Sequence, residues 1–343
     1  MVIAADNALP SGLRYVCDDE CDGYCVVERR GKRLYCDAEG NVCEDSELLE
    51  RVAHLVIPPQ WSEVWISADP NGHMQVTGRD ARGRKQYIYH PDYVAFRQRA
   101  KFSKLVAFGE RLPALRRHVD AELRRRTWDR ERMLALAVKL LDRAHLRVGS
   151  RRYCEENATY GLTTLRRRHV KANGKKLQLC FQGKSGKSRK ITIDDGRLRR
   201  LVREVSELPG YELFRYRDEN DDLQHLDSAD VNEYLQELMG DNFSAKDFRT
   251  WAGTTLAVQR YPQVLAEYEE HGRRGKLTTR LVKAVAKELG NTVSVCREYY
   301  IHPSILSLAE QEALPEETWP EASSSQGLSA AETYALELIS SVD

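Results

Sequence analysis

KKLQLCFQGKSGKSRKITI, residues 175–193, decides how the middle of this 343-residue chain is read. Its centre, FQGKSGKS at 181–188, nearly spells the phosphate-binding pattern G-x-x-x-x-G-K-[ST], but Phe181 stands where the first glycine belongs. KKLQLCF before it and SRKITI after it both read as strands, whereas a nucleotide loop opens a helix. Either a degenerate nucleotide loop or a hairpin with lysines on its turn fits the letters, and the strands on both sides favour the hairpin, spanning about Lys176 to Ile193.

Working outward, the composition is that of a globular chain, 41% hydrophobic and 31% charged, large enough for two domains. No apolar run approaches the length of a membrane span. The N-terminal MVIAADNALPSG lacks the basic flank and apolar core of a secretory signal, so secretion is not expected. The net charge of +1 conceals an asymmetry: residues 308–343 carry eight acids and no Lys or Arg, which leaves about +9 on the first 307 residues. Gly161–Lys190 holds ten Lys or Arg and no acid, while Asp218–Asp241 holds nine acids and no base. Such blocks suit a surface that steers a polyanion, or else a merely solvated basic face. Cys17, Cys21, Cys25, Cys36 and Cys43 crowd the N-terminus, with Cys154, Cys180 and Cys296 scattered beyond. Their spacing contains no CxxC pair, so free thiols are expected in preference to a structural metal or a disulfide framework.

The first ninety residues read as strands: EVWISA and HMQVTG alternate around a DPNG turn, RKQYIYH follows DARG, and RLYCDAEGNVC suggests a further hairpin. A flexible linker is placed at 91–103. Helical periodicity then dominates. TWDRERMLALAVKLLDRAHLRV offers Thr127 or Asp129 as N-cap and an apolar face through Leu134, Val138 and Leu141. Helices resume at Gly196–Leu208, at SADVNEYLQELMG with Ser228 as cap, at SAKDFRTWAGTTLAVQ, and at LTTRLVKAVAKEL, where Gly290 fits the left-handed closing position. In the tail, PEETWPEASSSQG reads as flexible and AAETYALELI as a short terminal helix. The expectation is therefore an α+β protein: a β-rich domain at 1–90, the linker, a mostly helical domain with an inserted hairpin at 104–307, and a partly flexible acidic tail at 308–343.

HExxH, GxSxG and GxGxxG are all missing, and no compact carboxylate cluster declares a metal site. Phosphate chemistry here would draw its positive charge from arginine, which stays protonated and offers paired donors. LRVGSRRY, FQGKSGK, KDFRTWAG and GNTVSVCREYYIHP are the segments with such groups. Taken alone, their arginines could equally be surface salt-bridge partners and their tyrosines packing residues. The bare letters do not choose between Tyr299 and Tyr300.

Together, LLDRAHLRVGSRRY…ENATYGLTTLRRRHV, FQGKSGKS, AKDFRTWAGT and SVCREYYIHP resemble bacterial type IB DNA topoisomerases of the poxvirus-like group, from about Leu13 to Leu306. IPPQWSEVWISADPNGHMQVTGRDARGRKQYIYHP resembles that group's small β domain. The resemblance implies two lobes clamping double-stranded DNA as a monomer, without membrane attachment, at the bacterial nucleoid in the cytoplasm. It implies relaxation of positive and negative supercoils through a transient 3′-phosphotyrosyl link, with no cofactor, no ATP and no metal. Carried over by position, the catalytic residues are Arg147, Lys184, Arg249, Asn291 and the nucleophile Tyr300. Asn291 stands where poxviral members have histidine. Arg84, Tyr87, Arg151 and Tyr153 match positions that meet DNA, and Arg166, Arg167, Arg168, Lys175 and Lys176 are basic candidates for phosphate contact.

The chemistry is coherent on its own terms. Two guanidiniums would hold the nonbridging oxygens, Asn291 would donate one further bond, and Lys184 would protonate the departing 5′ oxygen. Two rivals remain: a tyrosine recombinase, whose HxxR box is matched only by Lys246 to Arg249, and a DNA-binding module without activity. DDECDGYCVVERR departs from the family's usual Pro-Gly turn, and the acidic tail lies outside the resemblance, with solubility as its expected role.

Overall fold

The computed structural model describes residues 9–29, 31–174, 176–240, 243–319 and 327–341. The chain divides into two compact units, 1–101 and 102–343. About 50% of it is helix and 18% strand, with the large antiparallel sheet in the first unit and most helices in the second: an α+β fold, as expected.

In the first unit β1 (Gly23–Arg29), β2 (Lys32–Cys36), helix α1 (Ser46–His54), β3 (Ser62–Ser67), β4 (Met74–Arg79) and β5 (Lys85–Tyr89) follow in order. The strands form one antiparallel sheet in the order β2-β1-β3-β4-β5. The alternation in EVWISA turns Val64 and Ile66 into a small core with Val76, Leu48 and Val52, the last two from α1. RLYC was expected to pair within RLYCDAEGNVC. It pairs instead with β1, and Cys36–Val42 is reduced to an isolated bridge, because Asp37 and Asn41 close the intervening turn on each other. All eight cysteines are unpaired. Cys17 lies near Asp18 and Asp19, but the Asp18 carboxylate is already held by Lys85 at 2.6 Å and Thr77 at 2.8 Å.

Residues 91–103, expected as a flexible linker, are helical. They open α2 (Pro91–Glu122), whose first residue is a proline suited by its fixed φ to the first helical turn. There follow α3 (Arg130–Ala144), α4 (Arg151–Asn157), β6 (Val170–Asn173), β7 (Lys176–Gln182), β8 (Ser188–Ile193), α5 (Gly196–Glu207), β9 (Arg215–Arg217) and β10 (Leu223–His225). The chain ends in α6 (Ser228–Met239), α7 (Ala245–Glu270), α8 (Leu277–Leu289), α9 (Val293–Tyr299), α10 (Pro303–Glu310) and α11 (Ala330–Ser340). β7 and β8 are the expected hairpin, with β6 completing a three-stranded sheet. Asp129 caps α3 by accepting from the Arg132 amide at 3.0 Å. At α6 the cap is Asp227, one residue before the expected Ser228, since its carboxylate takes both the Ala229 and Asp230 amides.

α3 and α7 form the spine of the second unit: Met133–Val138 is buried without a break, as is Phe248–Val258. The tail contributes to this core. Arg116 of α2 bonds both oxygens of Asp142 (2.9 and 2.8 Å) and both oxygens of Glu332 on α11 (2.9 and 2.7 Å). The Trp251 indole also donates to Glu332, at 3.1 Å. Residues 308–319 and 327–341 are thus more than a solubilising tail; residues 320–326, part of the expected flexible stretch, lie outside the described residues.

The Arg116 guanidinium holds Asp142 and Glu332 below the usual carboxylate range against the opposing effect of burial. Depressed folded pKa values contribute stability that is present above the unfolded pKa, near 4, and lost as pH falls through the folded values. Glu332→Gln should cost about 2 kcal/mol at pH 7, less than the ~3–5 expected for breaking a buried pair outright because Asp142 stays on Arg116. The gap between the two proteins should narrow in acid. Denaturant titrations at pH 7 and pH 4 check both, and an unchanged midpoint at pH 7 would contradict the anchoring role of α11.

Candidate active site

Four short segments meet where α3, the β7–β8 hairpin, α7 and the α8–α9 junction come together. Arg147 follows α3 in a turn built on glycine. Gly149 has φ +96°, and a Cβ on Gly161 would stand 2.5 Å from the Gly149 Cα, so neither position accepts a side chain without displacement. The Leu162 amide bonds the Arg147 carbonyl and the Thr163 amide the Val148 carbonyl, both at 2.8 Å, which fixes the backbone that presents Arg147.

Arg249 sits in the first turns of α7 and is 3% exposed. Its guanidinium donates to the His145 carbonyl, to the Leu289 carbonyl at 2.8 Å and to Asn291 Oδ1 at 3.2 Å. Arg147 donates to the same Asn291 oxygen. Asn291 reaches both because α8 ends at Gly290 (φ 64°), where the Gly290 and Asn291 amides close on the Lys287 and Ala286 carbonyls. Burial, with Arg147 as a like-charged neighbour, pulls the Arg249 pKa down to about 10, still cationic at neutral pH. Burial also lowers the pKa of Arg147. No carboxylate forms an ion pair with Arg147, Arg189 or Arg249 among the described residues. Two buried donors, Arg249 Nε and Asn291 Nδ2, have no hydrogen-bond partner. Positive charge and unused donors in one place make an anion site.

Tyr300 adjoins it. The Arg249 guanidinium carbon lies 5.2 Å from its ring centre, and Tyr300 is an electrostatic neighbour of both Arg249 and Arg147. Its backbone is drawn onto α7 at Gly253, one helical turn after Arg249, where any Cβ would overlap the Tyr300 carbonyl. Thr254 holds the next residues by accepting the His302 amide at 3.1 Å. Tyr299 is 39% exposed, and burial with neighbouring Glu298 pushes its hydroxyl up to about 12. The structure therefore brings together Arg147, Arg249, Asn291 and Tyr300. Lys184 is exposed at the hairpin tip, directly after Gly183, which lines a small cleft with Arg147 and Arg249.

The sequence-predicted contact residues are dispersed. Arg151 (paired with Glu212 at 3.2 Å) and Tyr153 (52% exposed) begin α4, just past the Arg147 turn. Arg166 lies against the rings of Tyr160 and Tyr211, Arg168 bonds the Tyr160 hydroxyl at 3.0 Å, and Arg167 binds the Ser206 and Gly210 carbonyls. Lys176 is exposed at the start of β7; Lys175 lies outside the described residues. In the first unit Arg84 is held by Asp80 at 2.8 and 2.6 Å, while Tyr87 is exposed and stacks on Tyr89. Sequence reasoning missed a groove of about 1100 Å³ between α7, α8 and β8, lined by nine Lys or Arg and two acids. Lys276, which caps α8, and Arg280, Lys283 and Lys287 on α8 belong to it, and their spacing of four, three and four was the available signal for one basic face. It also missed Arg189, which lines both the groove and the small cleft.

Known proteins with similar sequences point one way. Residues 91–318 match the family described as eukaryotic DNA topoisomerase I, catalytic core, and residues 33–80 match the bacterial DNA topoisomerase IB N-terminal domain. The DNA topoisomerase 1B of Acanthamoeba polyphaga mimivirus is 29% identical over 286 residues, covering 81% of this chain and 84% of the viral one. The DNA topoisomerase 1B of vaccinia virus (strain Copenhagen) is 20% identical over 274 residues, 78% of this chain and 84% of its own. The DNA topoisomerase 1 of rabbit fibroma virus is 22% identical over 292 residues, 80% and 88% respectively.

Gly253→Ala should destabilise the second unit by about 1–3 kcal/mol, the usual range for an inserted methyl in a packed core, by forcing Tyr300 off α7. Thermal denaturation measures it. A variant as stable as the parent would contradict the close approach.

Proposed function

The chain belongs to the DNA topoisomerase I catalytic-core family and is a type IB DNA topoisomerase, an isomerase that acts on DNA, and on that premise we propose that it relaxes positive and negative supercoils through a 3′-phosphotyrosyl intermediate formed by Tyr300. The observation that carries the reading is the convergence of Tyr300, two cations without carboxylate partners and the unused Arg249 and Asn291 donors on one point.

In the proposed reaction a scissile phosphodiester enters that point. The guanidiniums of Arg147 and Arg249 and the Asn291 amide take its nonbridging oxygens, whose negative charge grows as a fifth oxygen approaches phosphorus. Tyr300 Oη forms the new P–O bond and gives up its proton to a solvent water. The bond to the 5′ oxygen breaks, and that oxygen takes a proton from Lys184 and leaves as a hydroxyl. One phosphate ester replaces another, so the 5′ hydroxyl can attack back, expel the phenol and reseal the strand without ATP. While the strand is open, torsion turns the free end, and turning is indifferent to the sign of supercoiling. The cations occupy the role a metal would otherwise take, and the enzyme acts as a monomer on nucleoid DNA. The groove beside α8 carries duplex phosphates away from the cut, with Arg151, Tyr153 and Arg168 on the catalytic unit and Tyr87 on the small one as further contacts.

Purified protein with negatively or positively supercoiled plasmid, in EDTA and without ATP, should relax both in steps. Tyr300→Phe should abolish relaxation and Tyr299→Phe should retain it. Joined or exchanged plasmids would instead favour a recombinase, and binding without relaxation an inactive module. A separate expectation concerns the groove: Arg280→Ala, Lys283→Ala and Lys287→Ala combined should make the salt dependence of DNA affinity less steep by about 2–3, close to 0.9 per lost phosphate contact. An unchanged slope would take the DNA off this groove.

A further inference from the structure

Arg189 has no part in the reaction as proposed above, yet its side chain runs through the middle of the site. It leaves β8 opposite Phe181 and passes Gly183 so closely that a Cβ there would lie 3.0 Å from the Arg189 Cγ. It ends over Gly290, where any Cβ would overlap its guanidinium, and Nη2 donates to the Glu288 carbonyl at 3.1 Å. A glycine therefore stands at each end of the side chain. One precedes Lys184 and the other precedes Asn291. Both accommodate Arg189 by lacking a side chain of their own.

The hairpin tip has little freedom of its own. The Gly183 amide closes on the Lys187 carbonyl at 2.8 Å and the Gly186 amide on the Gly183 carbonyl at 3.0 Å, with Ser185 at φ 64°. A turn this tight moves with its base, so whatever fixes Gly183 fixes the root of Lys184. Among the described residues, Arg189 makes a side-chain hydrogen bond from this hairpin to the last turn of α8. It also faces Arg147 across the small cleft, and that neighbour together with burial lowers its pKa.

We propose that Arg189 is a positioning residue: it braces the Lys184 hairpin against the end of α8, so that the proton donor and the phosphate-holding Asn291 keep one frame. This rests on the reading of Lys184 as the acid that protonates the departing 5′ oxygen. Arg189 itself stays on the Glu288 carbonyl and takes no oxygen of the phosphate. Its loss should therefore act on proton delivery to the scissile 5′ oxygen.

The test uses the full-length protein under single turnover, on a duplex cut irreversibly at one site, with either oxygen or sulfur at the scissile 5′ position. A thiol ionises near pH 8.5 and leaves as thiolate without an acid. With protein saturating over duplex, Arg189→Ala should slow cleavage of the oxygen substrate about 100-fold, the scale of an ångström-size misplacement. It should cut the sulfur substrate at nearly the parent rate, and Arg189→Lys should recover part of the loss. Equal slowing on both substrates, or no slowing, overturns the proposal. Lys184→Ala run in parallel separates the two readings: if sulfur does not rescue it, the acid assignment fails on its own account. The brace is then judged by amide hydrogen exchange at 183–188, which Arg189→Ala should accelerate. Unchanged exchange there overturns it whatever the role of Lys184.

Discussion

A guanidinium buried without a carboxylate is the constraint on which this site depends. Arg249 is surrounded by helix, and its partners are two backbone carbonyls and an amide oxygen, all neutral. Arg147 and Arg189 stand nearby with the same sign of charge. Enclosing a charge in this way costs several kcal/mol even after relaxation. The surrounding core has to supply that stability, and the long buried runs of α3 and α7 do so. An arriving phosphate changes the balance, because it brings the missing counter-charge and acceptors for the donors left unused. The same arrangement that strains the free protein is ready for an anion with developing charge, which is the condition for stabilising a transition state more than a ground state.

Close backbone approach is what allows so many cationic groups to share one point. Gly149 meets Gly161, Gly253 meets the Tyr300 carbonyl, and Gly290 lies under Arg189. Each contact removes the thickness of a side chain between two elements that carry a functional group. The C-terminal α11 works from behind: Glu332 ties Arg116 of α2 and Trp251 of α7 together, two residues along α7 from Arg249. Stability in this unit is thus assembled around the helix that holds the most costly side chain.

Much of this was legible in the sequence where local rules suffice. Alternation in EVWISA and HMQVTG, the 3.6-residue period around Leu134, Val138 and Leu141, and the glycine after LTTRLVKAVAKEL mark β3, β4, α3 and the end of α8. The hairpin was legible because FQGKSGKS lies between two strand-like runs. The errors came where tertiary partners decide. Residues 91–103 look like a change of pattern but continue into a long helix, and the acidic tail looks solvated until Arg116 is seen to claim Glu332. Ser228 and Asp227 are both good caps, and only the bonds to the Ala229 and Asp230 amides choose between them. At the site, the geometry sets Tyr300 apart from Tyr299, a distinction the adjacent letters could not make. Arg189 was hidden because its meaning depends on two glycines more than a hundred residues apart.

The account stands on Tyr300 as the oxygen that joins phosphorus while fixed cations hold the rest of the phosphate. The most direct measurement is to trap the protein on a nicked duplex in the presence of chelator, digest the complex, and identify by mass spectrometry the residue that carries the 3′-phosphate. The account predicts a single adduct on Tyr300. An adduct on Tyr299 or any other residue, or an adduct that forms only when a divalent cation is restored, would contradict it.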